Sequence, residues 1–206
     1  MGLTKLYPLN DNIGYVELID SMGNDLKVAN AARASYAKFS PELNERDKRL
    51  VAKMLREHHG SPFEHCVFTF AVKAPLFIIQ QWERHRIASY SEESGRYVEM
   101  SPEFYVRDNA NRIARLTKFH ADYECYRWLL NSETKEEARD VLPLALYKSF
   151  WFTINARSLM NFLNLRNDPE HAQWEIVQYA VALEGLFKKA MPHTHAAFDE
   201  YERIAP

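Results

Sequence analysis

The sequence is short of most things that announce a function. Of its 206 residues only Cys66 and Cys125 are cysteine, too few for a zinc knuckle or a disulfide framework. It holds six glycines and no GxGxxG turn, Walker loop or GxSxG elbow, so the usual phosphate cradles and serine nucleophiles are missing. No apolar run reaches the roughly 18 residues a membrane helix needs. The opening MGLTKLYPLNDN carries no apolar signal segment and no Ser or Thr at the sixth position, where N-myristoylation asks for one. A dominant charge is also lacking: 26 Lys+Arg against 28 Asp+Glu leave −2. That argues against coating nucleic acid or an anionic membrane, but not against a local anion site. With no repeat, low-complexity tract or Gly/Ser linker, the expectation is one soluble, cytoplasmic domain with no nucleic-acid or membrane partner.

A 47% hydrophobic and 13% aromatic content is ample for a core. Residues 13–20 (IGYVELID) read as a strand ending at the turn-like Met22-Gly23-Asn24, with Asn24 or Asp25 capping a helix over 25–36. An amphipathic helix is expected over 42–58, stopped by Gly60 and Pro62. The alternation in 66–72 predicts a strand covered on both faces. Pro75 opens a helix running through 86, and 87–97 reads as loop. Helices follow around 109–130, 133–140, 155–166 and 172–190, with a strand at 149–155. Without a βαβ rhythm, the expected class is α+β, a single mixed domain around an antiparallel or mixed sheet.

Polar residues concentrate in three places. The first is RHRIASYSEESGRY (84–97), where Arg84, His85, Arg86 and Arg96 accompany Ser89, Ser91, Ser94 and Gly95. Guanidinium forks, hydroxyls and a glycine amide together make the donor set a phosphate or pyrophosphate needs. Gln81 lies one turn before this loop, while Glu92 and Glu93 either hold the arginines or accept from a ligand. The second comprises Asn155, Arg157, Asn161, Asn164, Arg166 and His171; Arg157 and Asn161 share a helix face opposite Leu159, Phe162 and Leu163. The third is EHHGSPFEH (57–65), whose three histidines match no zinc spacing, so no metal is assigned. His193 and His195 read as a surface pair. Cys66, in an apolar strand, reads as a small buried hydrophobe, and any hard chemistry is expected to come from a cofactor.

Arg84-His85-Arg86, seven residues, Ser94 and then Gly95-Arg96-Tyr97 resemble the RHRx7S signature of the flavin-dependent thymidylate synthases. Segments 22–36, 61–82, 138–147, 155–166 and 171–180 are similar to family segments in the same order. The resemblance implies methylation of dUMP to dTMP, with carbon from 5,10-methylenetetrahydrofolate and a hydride from FAD, itself reduced by NADPH. It implies that Arg84, His85, Arg86, Asn155, Arg157, Asn161, His171, His59, Ser61, Glu64 and Glu92 meet the flavin. Gln81, Arg84, Glu92, Glu93, Ser94, Gly95, Arg96, Arg139 and Arg166 would hold the nucleotide. Arg166 would favour negative charge on uracil N3; Ser94, a nucleophile by position, is better read as a phosphate or ring contact. The family's homotetramer shares sites between subunits, so an apolar helical face, such as that of 172–190, would be buried between chains.

The sequence departs from the family pattern at Ser91, often asparagine, in a spacer one residue longer before His171, and in a short, poorly matching 101–137. Two other readings compete: an FAD/NADPH reductase lacking methyl transfer, which would have no need of Ser94, Arg96, Arg139 and Arg166, and a non-catalytic RNA- or nucleotide-binding module, which the balanced charge disfavours.

Overall fold

The computed structural model describes residues 5–204; the acylation pattern around Gly2 lies outside them. Strands β1 (Lys5–Leu6), β2 (Tyr15–Met22), β3 (Val67–Pro75), β4 (Ser89–Glu92) and β5 (Tyr147–Asn155) form one antiparallel sheet in the order β1-β2-β3-β5-β4. Helices α1 (Asp25–Ala32), α2 (Glu45–Arg56), α3 (Leu76–Trp82), α4 (Arg112–Leu129), α5 (Lys135–Ala138), α6 (Ala156–Arg166), α7 (Trp174–Ala190) and α8 (Pro192–Tyr201) complete the α+β domain. No helix among the described residues is long and apolar enough to cross a membrane.

The sheet is built on alternation. In β3, Phe68, Phe70, Val72 and Ala74 are buried, and β5 places Phe152 opposite Phe70 and Phe150 opposite Val72. Trp82 at the end of α3 sits over this face, with its ring 5.3 Å from Phe150, 5.1 Å from Phe162 of α6 and 5.8 Å from Tyr179 of α7. Each buried ring contributes about 2–3 kcal/mol of apolar transfer, and Trp82→Ala would cost about 3–5 kcal/mol through the cavity it leaves. The opposite face of β3 is only half-buried, so the expectation of cover on both faces does not hold within one chain.

Local chemistry sets the ends of the helices. Asn24 caps α1 by accepting from the Lys27 N–H at 3.0 Å. The turn before it needs Gly23: φ is +101°, and a Cβ there would lie 2.6 Å from Cys66 Sγ. Helix α2 stops earlier than expected, because His58 rather than Gly60 takes the left-handed conformation, with φ 56°. Helix α3 ends at Trp82 rather than at 86, leaving Arg84, His85 and Arg86 in a turn beyond it. The expected loop 87–97 contains β4: Tyr90 turns inward to stack on Phe152 while Ser89 and Ser91 face solvent, and its edge pairs with Phe150–Thr153. A polar edge strand of this kind hides from hydrophobic pattern reading.

The reading of His193 and His195 as a surface pair is also corrected. His195 is buried in α8, with Nε2 2.7 Å from Glu184 of α7 and Nδ1 3.2 Å from Asp199, and the Arg203 guanidinium closes on both carboxylates. Met191 and Pro192 open a short amphipathic helix there, and its inner face carries the imidazole inward. A second small core of Met100, Phe104, Tyr126, Ala138 and Leu146 holds α4 and α5 against the segment after β4.

Candidate active site

The turn after α3 is fastened from below. The Tyr90 hydroxyl reaches the main-chain oxygens of His85 at 2.7 Å and Trp82 at 3.2 Å. His85 is buried with its ring edge-on to Phe162, and its Nε2 has no partner among the described residues. Burial, then the Arg166 charge, holds its imidazole below the ordinary value, so it is neutral at pH 7. Arg166, the last residue of α6, donates to the Gln81 main-chain oxygen at 3.1 Å, while its Nε is buried without a partner. Arg84 and Arg86 are exposed and have no ion-pair partner among the described residues. Neutral His85, Arg166 and two free guanidiniums thus converge on one turn.

Ser94, Gly95, Arg96 and Arg139 form the adjoining part. The Ser94 main-chain oxygen accepts from Tyr97 and Val98 N–H groups at 2.9 and 3.1 Å, and its Oγ accepts from the Arg96 N–H at 3.3 Å. Arg96 pairs with Glu136 of α5 at 2.9 Å. A Cβ on Gly95 would sit 3.4 Å from Arg139 Cδ, so α5 brings the second guanidinium against the Ser-Gly-Arg turn. Glu92 pairs with Lys148 of β5 and shares a hydrogen bond with Glu83, which sequence reading passed over. Glu93 is a strand-closing residue: its N–H donates to Ser149 O at 2.8 Å, and its carboxylate accepts from the Ser149 N–H at 3.1 Å.

The other group gathers at the start of α6. Asn155 caps the helix, accepting from the Ser158 N–H at 2.9 Å. Arg157 reaches Glu64 at 2.6 Å and lies over Gly60, where a Cβ would come within 2.4 Å of its Nε. Exposed His59 and Ser61 flank that glycine, and Arg157 and Asn161 line a groove of about 360 Å³ with Gly60 and Phe63. Arg157 and Arg166 lie nine residues apart on α6, about 14 Å along the helix, so one chain presents two separate groups. His171 belongs with neither group: it is exposed beyond α6 and bound to Asp168 at 2.9 Å.

Two further residues enter the site through Gln81. Its amide donates to Gln173, and Gln173 donates to Glu175 at 2.9 Å. Both lie in the HAQWEI segment (171–176), but only the packing of α7 against α3 reveals the connection. Cys66 is set apart from this chemistry, since burial pushes its thiol up to about 11.

The sequence model of the family described as Thymidylate synthase complementing protein matches residues 17–193. A flavin-dependent thymidylate synthase of Thermotoga neapolitana is 52% identical over 202 residues, covering 91% of this chain and 92% of that protein. One from Pseudothermotoga lettingae is 44% identical, covering 91% of each. Among solved structures, a UMP/dUMP methylase, PolB from Streptomyces cacaoi, bound with 5-Br dUMP, superposes with a TM-score of 0.85 at 36% identity, covering 93% of this chain and 96% of that one. With the RHR turn, the Ser-Gly-Arg-Arg cluster and the α6 groups in place on such a domain, this chain belongs to the flavin-dependent thymidylate synthase family.

Proposed function

We propose that this enzyme methylates dUMP to dTMP, taking the carbon from 5,10-methylenetetrahydrofolate and the reducing hydride from FAD that NADPH has reduced. The observation that carries this reading is the assembly of Ser94, Gly95, Arg96 and Arg139, a donor-rich turn fitted to a nucleotide phosphate, beside Arg166 and Gln81.

The residues present suit a flavin dinucleotide. His85 offers a buried Nε2 without a partner, Arg84 and Arg86 offer unpaired guanidiniums, and Arg157 with Asn161 lines the groove beside Gly60. In this reading Arg84, His85, Arg86, Asn155, Arg157 and Asn161 hold FAD, with His59, Ser61, Glu64 and Glu92 beside them. The bound flavin would supply the hydride that completes the methyl group. Ser94 binds phosphate together with Arg96 rather than acting as a nucleophile. Arg166, fixed on Gln81, sets a positive charge against the uracil ring and makes its carbon more nucleophilic.

The separation of the two groups along α6, and the exposure of Trp151, Leu165, Trp174 and Val181, support a homotetramer in which neighbouring subunits complete each site. The apolar residues of α7 are otherwise packed inside the chain, so Trp174 and Val181 are what α7 contributes to such an interface. A cytoplasmic location fits these substrates. His171 is the weakest member of the flavin set, given its place beyond α6.

The test is direct. Purified protein with dUMP, methylenetetrahydrofolate and NADPH should yield thymidylate, and a bound flavin band should bleach with anaerobic NADPH. NADPH oxidation with no thymidylate would leave a reductase instead.

A further inference from the structure

We infer that Arg107, Glu175 and Gln173 are positioning residues for Gln81: their hydrogen-bond chain fixes which end of the Gln81 amide faces the nucleotide. The inference rests on the nucleotide-site reading above.

The direction of the chain follows from donor and acceptor chemistry. Glu175 opens α7 and is 1% exposed. Its Oε1 accepts from Arg107 Nε at 2.5 Å and its Oε2 from an Arg107 NH2 group at 3.1 Å. Burial pushes the carboxyl up, but the bonds from Arg107 and Gln173 outweigh it, and the group lies below its ordinary value. An ionised carboxylate only accepts. Gln173 must therefore turn its Nε2 toward Glu175, where it donates at 2.9 Å. That leaves Gln173 Oε1 facing α3, where it can only accept, and Gln81 meets it with Nε2.

Gln81 is then fixed at both ends. Its main-chain oxygen takes the Arg166 guanidinium, and its side-chain nitrogen is committed to Gln173. Its Oε1 has no partner among the described residues. The acceptor end is what the side chain offers a ligand, and it suits a donor on a pyrimidine nucleotide: the ring N3–H or a sugar hydroxyl. A phosphate oxygen cannot supply that proton. Were the carboxylate replaced by an amide, its oxygen would stay on Arg107 and its NH2 would face Gln173; Gln173 and then Gln81 would each turn over, and Gln81 would meet the same donor with its NH2.

A double-mutant cycle on the flavin-loaded enzyme tests this, with dUMP binding followed by calorimetry and KM and kcat from thymidylate formation. Glu175→Gln should raise the dUMP Kd and KM about tenfold, the effect of one misdirected hydrogen bond, with kcat changed less than about threefold. In a Gln81→Ala background the same change should add nothing, because Glu175 acts only through Gln81. An equal factor in both backgrounds, or an unchanged KM and Kd, would overturn the inference. If Glu175→Gln fails to fold, Gln173→Ala, at a half-buried position, replaces it in the cycle with the same expectations. A parent that neither binds nor converts dUMP overturns the site reading and this inference together; a parent that does both, with additive effects, overturns only the inference.

Discussion

Arg166 holds the main-chain oxygen of Gln81 at 3.1 Å, tying the last residue of α6 to the last turn of α3. That carbonyl is one of the four a helix leaves unpaired at its C-terminus, and a cation there also complements the helix dipole. The same guanidinium keeps a buried Nε free. One side chain thus fastens the turn after α3 and presents charge beside it.

Arg166→Ala should therefore lower thymidylate turnover by about 10²–10³-fold, the usual loss for a fixed electrostatic donor, and raise the dUMP KM as Gln81 loosens. The flavin band should survive gel filtration, because Arg84, Arg86 and Arg157 are untouched. Near-normal single-turnover rates in this variant would remove Arg166 from the chemistry.

Gly60 passes directly beneath Arg157, and a methyl there meets the guanidinium at 2.4–2.8 Å. The obstructing atoms end a flexible, exposed side chain, so Gly60→Ala should cost under about 1 kcal/mol in unfolding free energy. It should nonetheless displace Arg157 from Glu64 and weaken flavin retention. The check pairs a denaturant titration with flavin content after gel filtration; full flavin occupancy would place Arg157 outside the cofactor site.

Most of this arrangement was legible in the sequence where the signal is local. The alternation of β3, the strand segment of β5, the Asn24 cap and the Arg157/Asn161 face all follow from neighbours a few residues apart, whereas the capping role of Asn155 emerged with the fold. What escaped depends on partners far away in the chain. Strand β4 exists because β5 offers it an edge, so its serines looked like loop. His195 is buried because Glu184, eleven residues back on α7, and Arg203 surround it. The site divides in the same way: the RHR turn and Ser94-Gly95-Arg96 were visible as a motif, whereas Gln173, Glu175, Glu83 and Lys148 join it only through tertiary packing.

The His195 cluster ties α8 to α7 and, through Asn167 at 2.5 Å from Glu184, to the end of α6. His195→Ala leaves Glu184 paired with Arg203 but opens a buried site and strips the imidazole contacts from Glu184 and Asp199. The expected cost is about 2 kcal/mol, or a fall of roughly 4–8 °C in melting temperature for a domain of this size. An unchanged Tm by calorimetry would mean that Arg203 alone secures the helix.

Glu83 and Glu92 lie together beneath the RHR turn, with Lys148 on Glu92. The hydrogen bond with Glu92, then burial and the Glu92 charge, raise the Glu83 carboxyl from 4.5 to about 7. The native protein keeps a proton there that the unfolded chain releases above 4.5, so rising pH favours unfolding across that interval. The stabilisation from Glu83 is complete below 4.5 and lost as pH passes through about 7. Glu92 shifts the opposite way: burial raises it, but Glu83 and Lys148 prevail and lower it, so its own contribution is lost only on acidification below the ordinary carboxylate range. Glu83→Gln keeps a donor for Glu92 and removes the titration. The parent and variant should therefore melt together near pH 5, and the parent's Tm should fall below the variant's by about 1–3 °C by pH 8, a small gap because water partly screens this half-buried group. Parallel pH profiles for the two proteins would show that the carboxyl pair does not share its proton.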